Sequence, residues 1–537
     1  MSEVHVPVLI AGGGTVGLST ALFLAHHGVA PLVAEGQDGP SVHPRATGVG
    51  PRTVEFLREV GIEDAVNAVA VDMSAGNLGK ISAETLAQAV LPEPPPRPHQ
   101  VAQAYGRVSP GALRGTCPQN RLDAVLLREA TARGADVRYS TRLVSFKQDA
   151  DGVTATLAGP AGTQVVRASY LVAADGARSG VRDALGIGTT GPGALGTPKM
   201  NILFRADLTP YTQGRSFVGC DITTPASPGM LLTVDGEKEW TFHVAYDPEA
   251  GASPADFTPG RCRELVRAAI GDPGLDVEVL SVLPWRVRGL LADRFQDGRV
   301  FLAGDAAHAV PPLGAFGMNT GVADAHNLAW KLAAVLDGRA GPALLTTYEA
   351  ERRPVAALTL DQAMRRLPDP RLHWGSGPEV AAARAAAGVL NAPVVQLGYR
   401  YDSAAIIDPR PDLPSAEDVE PALDGSPGSR VPHVWLERDG RRVSTLDLLE
   451  SRFTVLTGPA GDGWVQAARG LGAGLAAHRI VHDTEGRWPH VAGLEADGAL
   501  LVRPDGFVAW RSPAMTENPA AALATALDRV LARTAGR

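Results

Sequence analysis

Cysteine is scarce in this 537-residue chain: Cys117, Cys220 and Cys262 are the only three, and they lie far apart with no CxxC and no metal-ligand spacing. A disulfide scaffold and a cysteine-held metal are therefore excluded, and reduced thiols in the cytoplasm are expected. Basic charge is not in excess either. The formal net charge is −8, so no broad positive field invites nucleic acid or anionic lipid. No run approaches the roughly 20 apolar residues that span a bilayer. Residues 7–26 hold many apolar side chains, but Gly12-Gly13-Gly14 breaks them and Glu3 stands where a secretory leader is basic. Repeats and low-complexity tracts are lacking. What is present is an ordinary globular composition, 45% hydrophobic and 20% charged, on a chain long enough for about three domains.

The most informative segment is the first. Val6 to Ala11 reads as a short buried strand, followed by Gly12-Gly13-Gly14-Thr15-Val16-Gly17, an apolar helix to about His27, Gly28 as its stop, and a second strand, Val29 to Ala34, that ends at Glu35. This is a GxGxxG turn between strand and helix, with an acid at the next strand end. Gly12 permits the tight turn, Gly14 lets backbone approach a pyrophosphate, and Gly17 lets the helix pack close to the sheet. The helix start, with Thr15 and Val16, offers free N–H groups to phosphate. Glu35 suits a ribose diol. The fingerprint alone does not choose between NAD and FAD.

Two further segments bear on that choice. Residues 171–182 carry a buried strand, Leu171 to Ala174, into Asp175-Gly176, and continue through Ser179 to Arg182. In residues 299–321 the strand Val300 to Ala303 delivers Asp305, and a glycine-rich loop leads to a helix at Val322 to Leu336. Ligands of open α/β sheets bind at such strand ends. The three segments together resemble the class A flavoprotein monooxygenases, the group of para-hydroxybenzoate hydroxylase, and within it the aromatic polyketide hydroxylases. The DGxxSxxR motif of that family appears as Asp175, Gly176, Ser179 and Arg182, and its GDAAH motif as Gly304 to His308. Its PPxGxxGxN loop is Pro311-Pro312, Gly314, Gly317 and Asn319, its Pro-Arg-Ala segment is Pro44-Arg45-Ala46, and its Gln before a long helix is Gln119. The likeness extends over nearly the whole chain.

The resemblance implies FAD as cofactor and NADPH (or NADH) as co-substrate. It places Asp305 on the ribityl hydroxyls and the backbone N–H groups of Gly317, Met318 and Asn319 at the flavin pyrimidine, where a helix start stabilises negative charge. Arg45 and Gln119 would contact the pyrophosphate and ribityl chain. Asp175 and Gly176 would serve flavin and NAD(P)H positioning. Pro312 would meet flavin and substrate together, with Leu313 and Gly314 beside it. His308 is expected to be structural, and Arg182 either a solvated charge or part of an internal ion pair. Two departures stand out: Gly36 follows Glu35 where relatives carry a basic residue, and the second loop glycine is Ala315, followed by Phe316.

The expected fold is α/β. A Rossmann-like FAD-binding domain is discontinuous over residues 1–75, 100–190 and 280–395. An inserted mixed-sheet substrate domain takes 76–99 and 191–279, and a C-terminal thioredoxin-like domain without cysteines takes 400–537. The stretch 91–99 is too rich in proline for helix or central strand. Arg138 to Leu157 reads as a hairpin turning at Asp149 to Gly152. Strands are expected at Asn201 to Ala206, Met230 to Val234 and Trp240 to Ala245. A helix over Ala343 to Arg366 should be interrupted at Pro354. In the last part, strands are expected at His433–Glu437, Phe453–Gly458, His478–His482, Ala499–Val502 and Phe507–Arg511, and helices at Trp464–Leu471 and Asn518–Arg533.

Such an enzyme leaves the hard chemistry to its cofactor. The resemblance implies a flavin C4a-hydroperoxide that passes a hydroxyl to an electron-rich ring carbon, with a small aromatic substrate, most fittingly a polycyclic polyketide, and O2 as partners. Monomer and homodimer are both open. Candidate substrate residues are Phe204, Trp240 and Phe242, against which plain core packing must be weighed. Candidates to assist phenol deprotonation are Arg45, His243 and Arg366, with His43, Arg371 and His373 also capable by chemistry. No metal site is expected. Baeyer–Villiger oxygen insertion, inactivation of a planar antibiotic, and a non-catalytic FAD-binding role are the alternatives.

Overall fold

The structure, a computed structural model, describes residues 4–72, 79–93, 106–111, 113, 115–374, 377–410, 412, 423–472 and 474–533. Of the proline-rich connection at 91–99, residues 94–99 lie outside that set, as do 73–78 at the first expected domain boundary.

Three units follow from three patterns of strand. The first holds β1 (Val4–Ala11), β2 (Leu32–Ala34), β4 (Asp136–Arg138), β7 (Gly162–Ala173) and β14 (Val300–Leu302), all parallel, in the order β14-β7-β1-β2-β4. A short β13 (Gln296–Asp297) extends the β14 edge, and the hairpin β5 (Arg142–Gln148) and β6 (Val153–Gly159) continues from β7. Strands buried on both faces read as unbroken apolar runs, and Val8 to Ala11, Leu32 to Ala34 and Leu171 to Ala173 are all buried. The helix Thr15–His26 is buried over nearly its whole surface, packed between the sheet and the helix Gly317–Leu336. The latter starts a turn and a half before the expected Val322. The helix Thr347–Arg366 runs through Pro354 without the expected interruption.

Register makes the functional point. Ala11 lies opposite both Ala34 and Ala173, and Ala173 lies opposite Leu302. Four strands therefore end level, and Gly12, Glu35, Asp175 and Asp305 all leave the sheet at one edge.

The second unit is a seven-stranded sheet in the order β15-β12-β8-β11-β10-β9-β3. It comprises β3 (Lys80–Ala83), β8 (Thr189–Arg205), β9 (Gly219–Ile222), β10 (Gly229–Thr233), β11 (Glu239–Ala245), β12 (Glu278–Ala292) and β15 (His308–Ala309). One face packs on the helix Pro259–Ile270, in a core of Ile202, Phe204, Trp240, Phe242, Val244, Leu265 and Val266. The other face looks at the first unit: Arg121, on the helix Gln119–Ala132, reaches Asp235 and Glu239 at 3.7 and 3.9 Å.

The third unit has β16 (Trp435–Arg438) paired with β17 (Arg441–Ser444), and a four-stranded sheet β19-β18-β20-β21. In it β18 (Phe453–Thr457), the helix Asp462–Gly470 and a parallel β19 (Leu475–Arg479) are followed by the antiparallel pair β20 (Ala499–Val502) and β21 (Val508–Ser512) and the helix Pro519–Val530. This βαβ-plus-hairpin arrangement is thioredoxin-like. The strand expected at 478–482 sits three residues earlier, because Phe453 pairs with Leu475. Its core includes Trp330 and Ala334 of the helix Gly317–Leu336, so the first and third units share apolar packing.

Candidate active site

At the level strand ends, glycine geometry comes first. Gly12 has φ +104°, and a Cβ there would collide with the Ala174 carbonyl; a Cβ on Gly17 would collide with the Gly12 carbonyl. Gly14 is different: a Cβ there would meet no protein atom within 4 Å. The turn is thus closed behind Gly12 and Gly17 and open in front of Gly14, at the start of a buried helix that offers N–H groups to phosphate.

Polar side chains surround this opening. Glu35 accepts from Gly13 N at 2.6 Å and from Gln37 N at 2.8 Å, and each oxygen keeps a lone pair. Gln119 Nε2 donates to Thr15 Oγ1 at 2.7 Å, and Thr15 Oγ1 donates to Asp123 Oδ1 at 2.5 Å. Gln119 N is bonded to Ala46 O, which fixes the Pro44-Arg45-Ala46 segment beside the helix start. Asp175 Oδ2 accepts from Val181 N, while Asp175 Oδ1 accepts nothing from the protein. Asp305 is solvent-exposed at its strand end, with protein packed densely around the opening that it faces. Burial raises its carboxyl, with His308 and the Arg45 guanidinium opposing.

Asp123 was not anticipated, although it lies four residues after Gln119 and so on the same helix face. Burial pushes its carboxyl up to about 7, against the Thr15 bond and the Arg45 charge. A carboxyl raised in this way is neutral below that pH and ionises above it. FAD affinity is therefore expected to fall as pH rises through about 7, because a second anion then forms beside the phosphate end of the turn; Asp123→Asn should flatten the dependence in a fluorescence titration.

The other motifs turn inward. Arg182 donates to Ala306 O at 3.0 Å and Ala177 O at 3.2 Å, which ties the Asp175 and Asp305 edges together. Its ion pair with Asp183 is long, at 3.5 Å, and that carboxylate is largely exposed, so the main-chain carbonyls are the closer partners of this arginine. His308 is buried, with Nε2 at 2.7 Å from Asp324 Oδ2, and Asp324 Oδ1 accepts from Arg352. Among the described residues no three His, Cys, Asp or Glu side chains could hold a metal. The Asn319 side chain bonds Gly50 N, Thr53 Oγ1, Gly48 O and Ala315 O. It clamps the loop and leaves the N–H groups of Gly317, Met318 and Asn319 at the helix start. Pro312 and Ala315 are exposed, Leu313 is half-buried and Gly314 is buried. Ala315 has φ +54°, the left-handed conformation that glycine takes freely and that costs other L-residues about 1–2 kcal/mol.

Two sets of expected residues are corrected. Phe204, Trp240 and Phe242 lie on the helix-packed face of the second sheet, at most 2% exposed. Side chains alternate along a strand, so this parity points all three away from the first unit. Trp240→Ala is expected to destabilise the fold by about 3–5 kcal/mol in urea unfolding, with little change in substrate KM for the protein that folds. Arg366 is also committed elsewhere: it donates to Gln362 O at 2.6 Å and Leu390 O at 2.5 Å and lies 5.2 Å from the Phe316 ring. It props Phe316, the residue that precedes the helix Gly317–Leu336. Arg371 is exposed and paired with Asp369 at 2.8 Å, and His373 lies nearby, its imidazole lowered to about 4 by burial and by Arg366 and Arg384.

The opposite parity, Lys199, Asn201, Leu203, Thr241 and His243, faces the first unit. His43, 2% exposed and two residues before Arg45, meets Asn201 across this gap. Neither His43 ring nitrogen nor Asn201 Oδ1 has a hydrogen bond within 3.5 Å. His243 is half-buried at its surface yet walled by protein, and its ring tilts against Trp285 at 5.3 Å. Neither Trp285 nor Lys199 was anticipated, since no local spacing reveals which face of a long strand is covered.

A dinucleotide turn and two acid-bearing strand ends at one edge, faced by a large inserted sheet, define a dinucleotide-binding enzyme. A family model for an FAD-binding domain matches residues 5–363, and one for the C-terminal part of aromatic-ring hydroxylases matches 424–534. The chain belongs to the FAD-dependent aromatic-ring hydroxylases. It is 44% identical to the tetracenomycin A2 monooxygenase-dioxygenase of Streptomyces glaucescens, over 100% of this chain and 98% of that one. It is 42% identical to the 4-methyl-5-nitrocatechol 5-monooxygenase of a Burkholderia species, over 99% and 98%. The crystal structure of aklavinone-11 hydroxylase with FAD and aklavinone superposes with a TM-score of 0.86 at 38% identity, covering 99% of this chain and 100% of that one.

The residues present fit FAD. Gly14 leaves the approach to the turn open, Asp175 keeps a carboxylate oxygen unpartnered, and Asp305 stands in the cleft on the far side of the edge.

Proposed function

We propose that this protein hydroxylates a polycyclic aromatic polyketide, with NADPH or NADH as electron donor and O2 as co-substrate. FAD, when bound, supplies oxygen activation and hydroxyl transfer. The chain supplies the rest. Gly12, Gly14, Thr15, Val16 and Gly17 bind the pyrophosphate, with Arg45 and Gln119 alongside. Glu35 takes the ribose diol and Asp305 the ribityl hydroxyls, and Asp175 and Gly176 line the approach. The start of the helix Gly317–Leu336 holds negative charge at the flavin pyrimidine, with Pro312, Leu313 and Gly314 between flavin and substrate.

The observation that carries the substrate class is the aromatic wall of Trp285 and His243 on the face of the second sheet that looks at the cofactor unit. Flat rings gain about 0.5–1.5 kcal/mol beyond area burial from such contacts, and β8 and β12, at 17 and 15 residues, are long enough to cover several fused rings. The three thiols are all unpaired and buried, which supports a reducing, cytoplasmic setting; no helix among the described residues is long and apolar enough to cross a membrane.

The test follows FAD reduction by NADPH with aklavinone and with 4-methyl-5-nitrocatechol, and measures product mass under 18O2. Faster reduction and one 18O on a ring carbon with aklavinone are expected. Acceleration by the single-ring compound alone would overturn the polycyclic reading, and insertion of oxygen beside a ketone would overturn hydroxylation.

A further inference from the structure

We propose that Lys199 is the counter-charge for an ionised substrate hydroxyl, on a wall where Trp285 stacks the planar ring and His243 hydrogen-bonds a neighbouring oxygen. This assignment rests on the hydroxylase reading above.

Register assembles the wall. Lys199 lies opposite Trp285 of β12 and Ala245 of β11, and Asn201, two residues on, lies opposite His243. Lys199, Asn201 and His243 share the strand face that meets the cofactor unit through His43 and Arg121. Lys199 Nζ stands 5.7 Å from the Trp285 ring centroid, and that ring is 5.3 Å from His243. The three form a row of cation, flat aromatic surface and imidazole.

Lys199 is half-buried and has no carboxylate within 4 Å among the described residues. Lys80 and Lys331, by contrast, are paired with Asp221 and Glu351, both at 2.7 Å. The Lys199 ammonium has the Trp285 ring beside it but no anionic partner among the described residues, and a half-buried charge left in that state gains from an anion delivered to it.

His243 cannot be that anion's charge partner. Burial, then Lys199, then His43 lower its imidazole to about 3, so it is neutral at physiological pH. The groups around it are cationic or neutral: Lys199 on β8, His43 from the cofactor unit with Arg45 behind it, Asn201 opposite and Trp285 beside. Its ring nitrogens bond no described residue, which leaves one to donate and one to accept toward a ligand.

The proton account is simple. The substrate O–H bond breaks, its electron pair stays on oxygen, and the proton leaves to bulk water. A cation within about 4–6 Å of an acid lowers it by roughly 1–3 pKa units, and a free phenol lies near about 10. The resulting oxyanion feeds electrons into the ring carbon that accepts oxygen.

The experiment uses the FAD-loaded, oxidised holoenzyme and aklavinone, whose ionised hydroxyl is read by visible absorbance while pH is raised. Wild-type protein should ionise the bound probe about 1–3 units below the free compound. Lys199→Met should abolish that shift and move the acid limb of hydroxylation upward by the same amount, with FAD content unchanged; Lys199→Arg should restore both. A Lys199→Met protein that titrates like wild type sinks the assignment while the hydroxylase reading stands. Wild-type protein that neither binds nor oxygenates aklavinone sinks the polycyclic reading, and this assignment with it.

Discussion

A Gly14→Val variant is expected to keep the melting temperature of the apoprotein and to bind FAD at least about 100-fold more weakly. A Cβ there meets no protein atom within 4 Å and the position is exposed, so folding should offer little resistance. It would instead occupy the approach to the first N–H groups of the helix Thr15–His26. Hydrogen bonds to charged acceptors contribute about 1.5–3 kcal/mol each, and about 1.4 kcal/mol is tenfold in affinity, so the loss of two such bonds gives the stated factor. Gly17→Val is the control with the opposite signature. Its Cβ would collide with the Gly12 carbonyl, so the helix must leave the sheet and the protein should fail to fold. Fluorescence titration with FAD and calorimetry of the apoprotein separate the two. Unchanged affinity in Gly14→Val would show that the pyrophosphate does not lie on this turn.

The second large effect lies far from the cofactor. Glu351 receives Lys331 Nζ, Asn327 Nδ2 and Ser403 Oγ, each at 2.7 Å, and Arg503 at 2.6 and 2.9 Å. The Glu351, Lys331 and Arg503 side chains are fully buried, and Arg503 also pairs with Asp505. Removing the shared carboxylate strands Lys331 and leaves Arg503 with Asp505 alone in a low-dielectric interior. Glu351→Ala is expected to destabilise the protein by about 3–5 kcal/mol, measured by urea unfolding; a change below about 1 kcal/mol would mean that the cations find other partners. Burial pushes the Glu351 carboxyl up, but Arg503 and Lys331 more than reverse it, so it sits well below its ordinary 4.5. A depressed carboxyl contributes stability that is present above 4.5 and lost as pH falls toward its folded value. Acid should therefore loosen this junction in the native protein and not in the variant.

What could be read from sequence was what depends on short spacing. The turn at Gly12 to Gly17, the strand-end acids Glu35, Asp175 and Asp305, and the order of the last strands are local patterns, and the register brings them to one edge. Ala315 was visible as a departure, but its left-handed φ was not, because a residue's identity does not state the conformation its neighbours impose. The substrate face failed for a different reason. Phe204, Trp240 and Phe242 signal burial, and a sheet covered on both faces buries aromatics on the wrong side as readily as on the right one. Only pairing across β8, β11 and β12 shows that Lys199, His243 and Trp285 share the other side. The junction at Glu351 joins residues 152 positions apart, beyond any periodicity.

That junction also sets when in the life of the chain the cofactor can be gripped. Lys331 and Asn327 sit on the helix Gly317–Leu336, whose first turn we assign to the flavin pyrimidine, and the acid they share, Glu351, is completed by Arg503, 152 positions further along the chain, and by its partner Asp505. A ribosome-bound chain that has made every nucleotide-binding motif still lacks Arg503 and Asp505, so the Glu351 carboxylate beneath that helix is without its guanidinium partner. Flavin loading is thus expected to await the third unit, and a chain cut before Arg503 would be read as a cofactor defect.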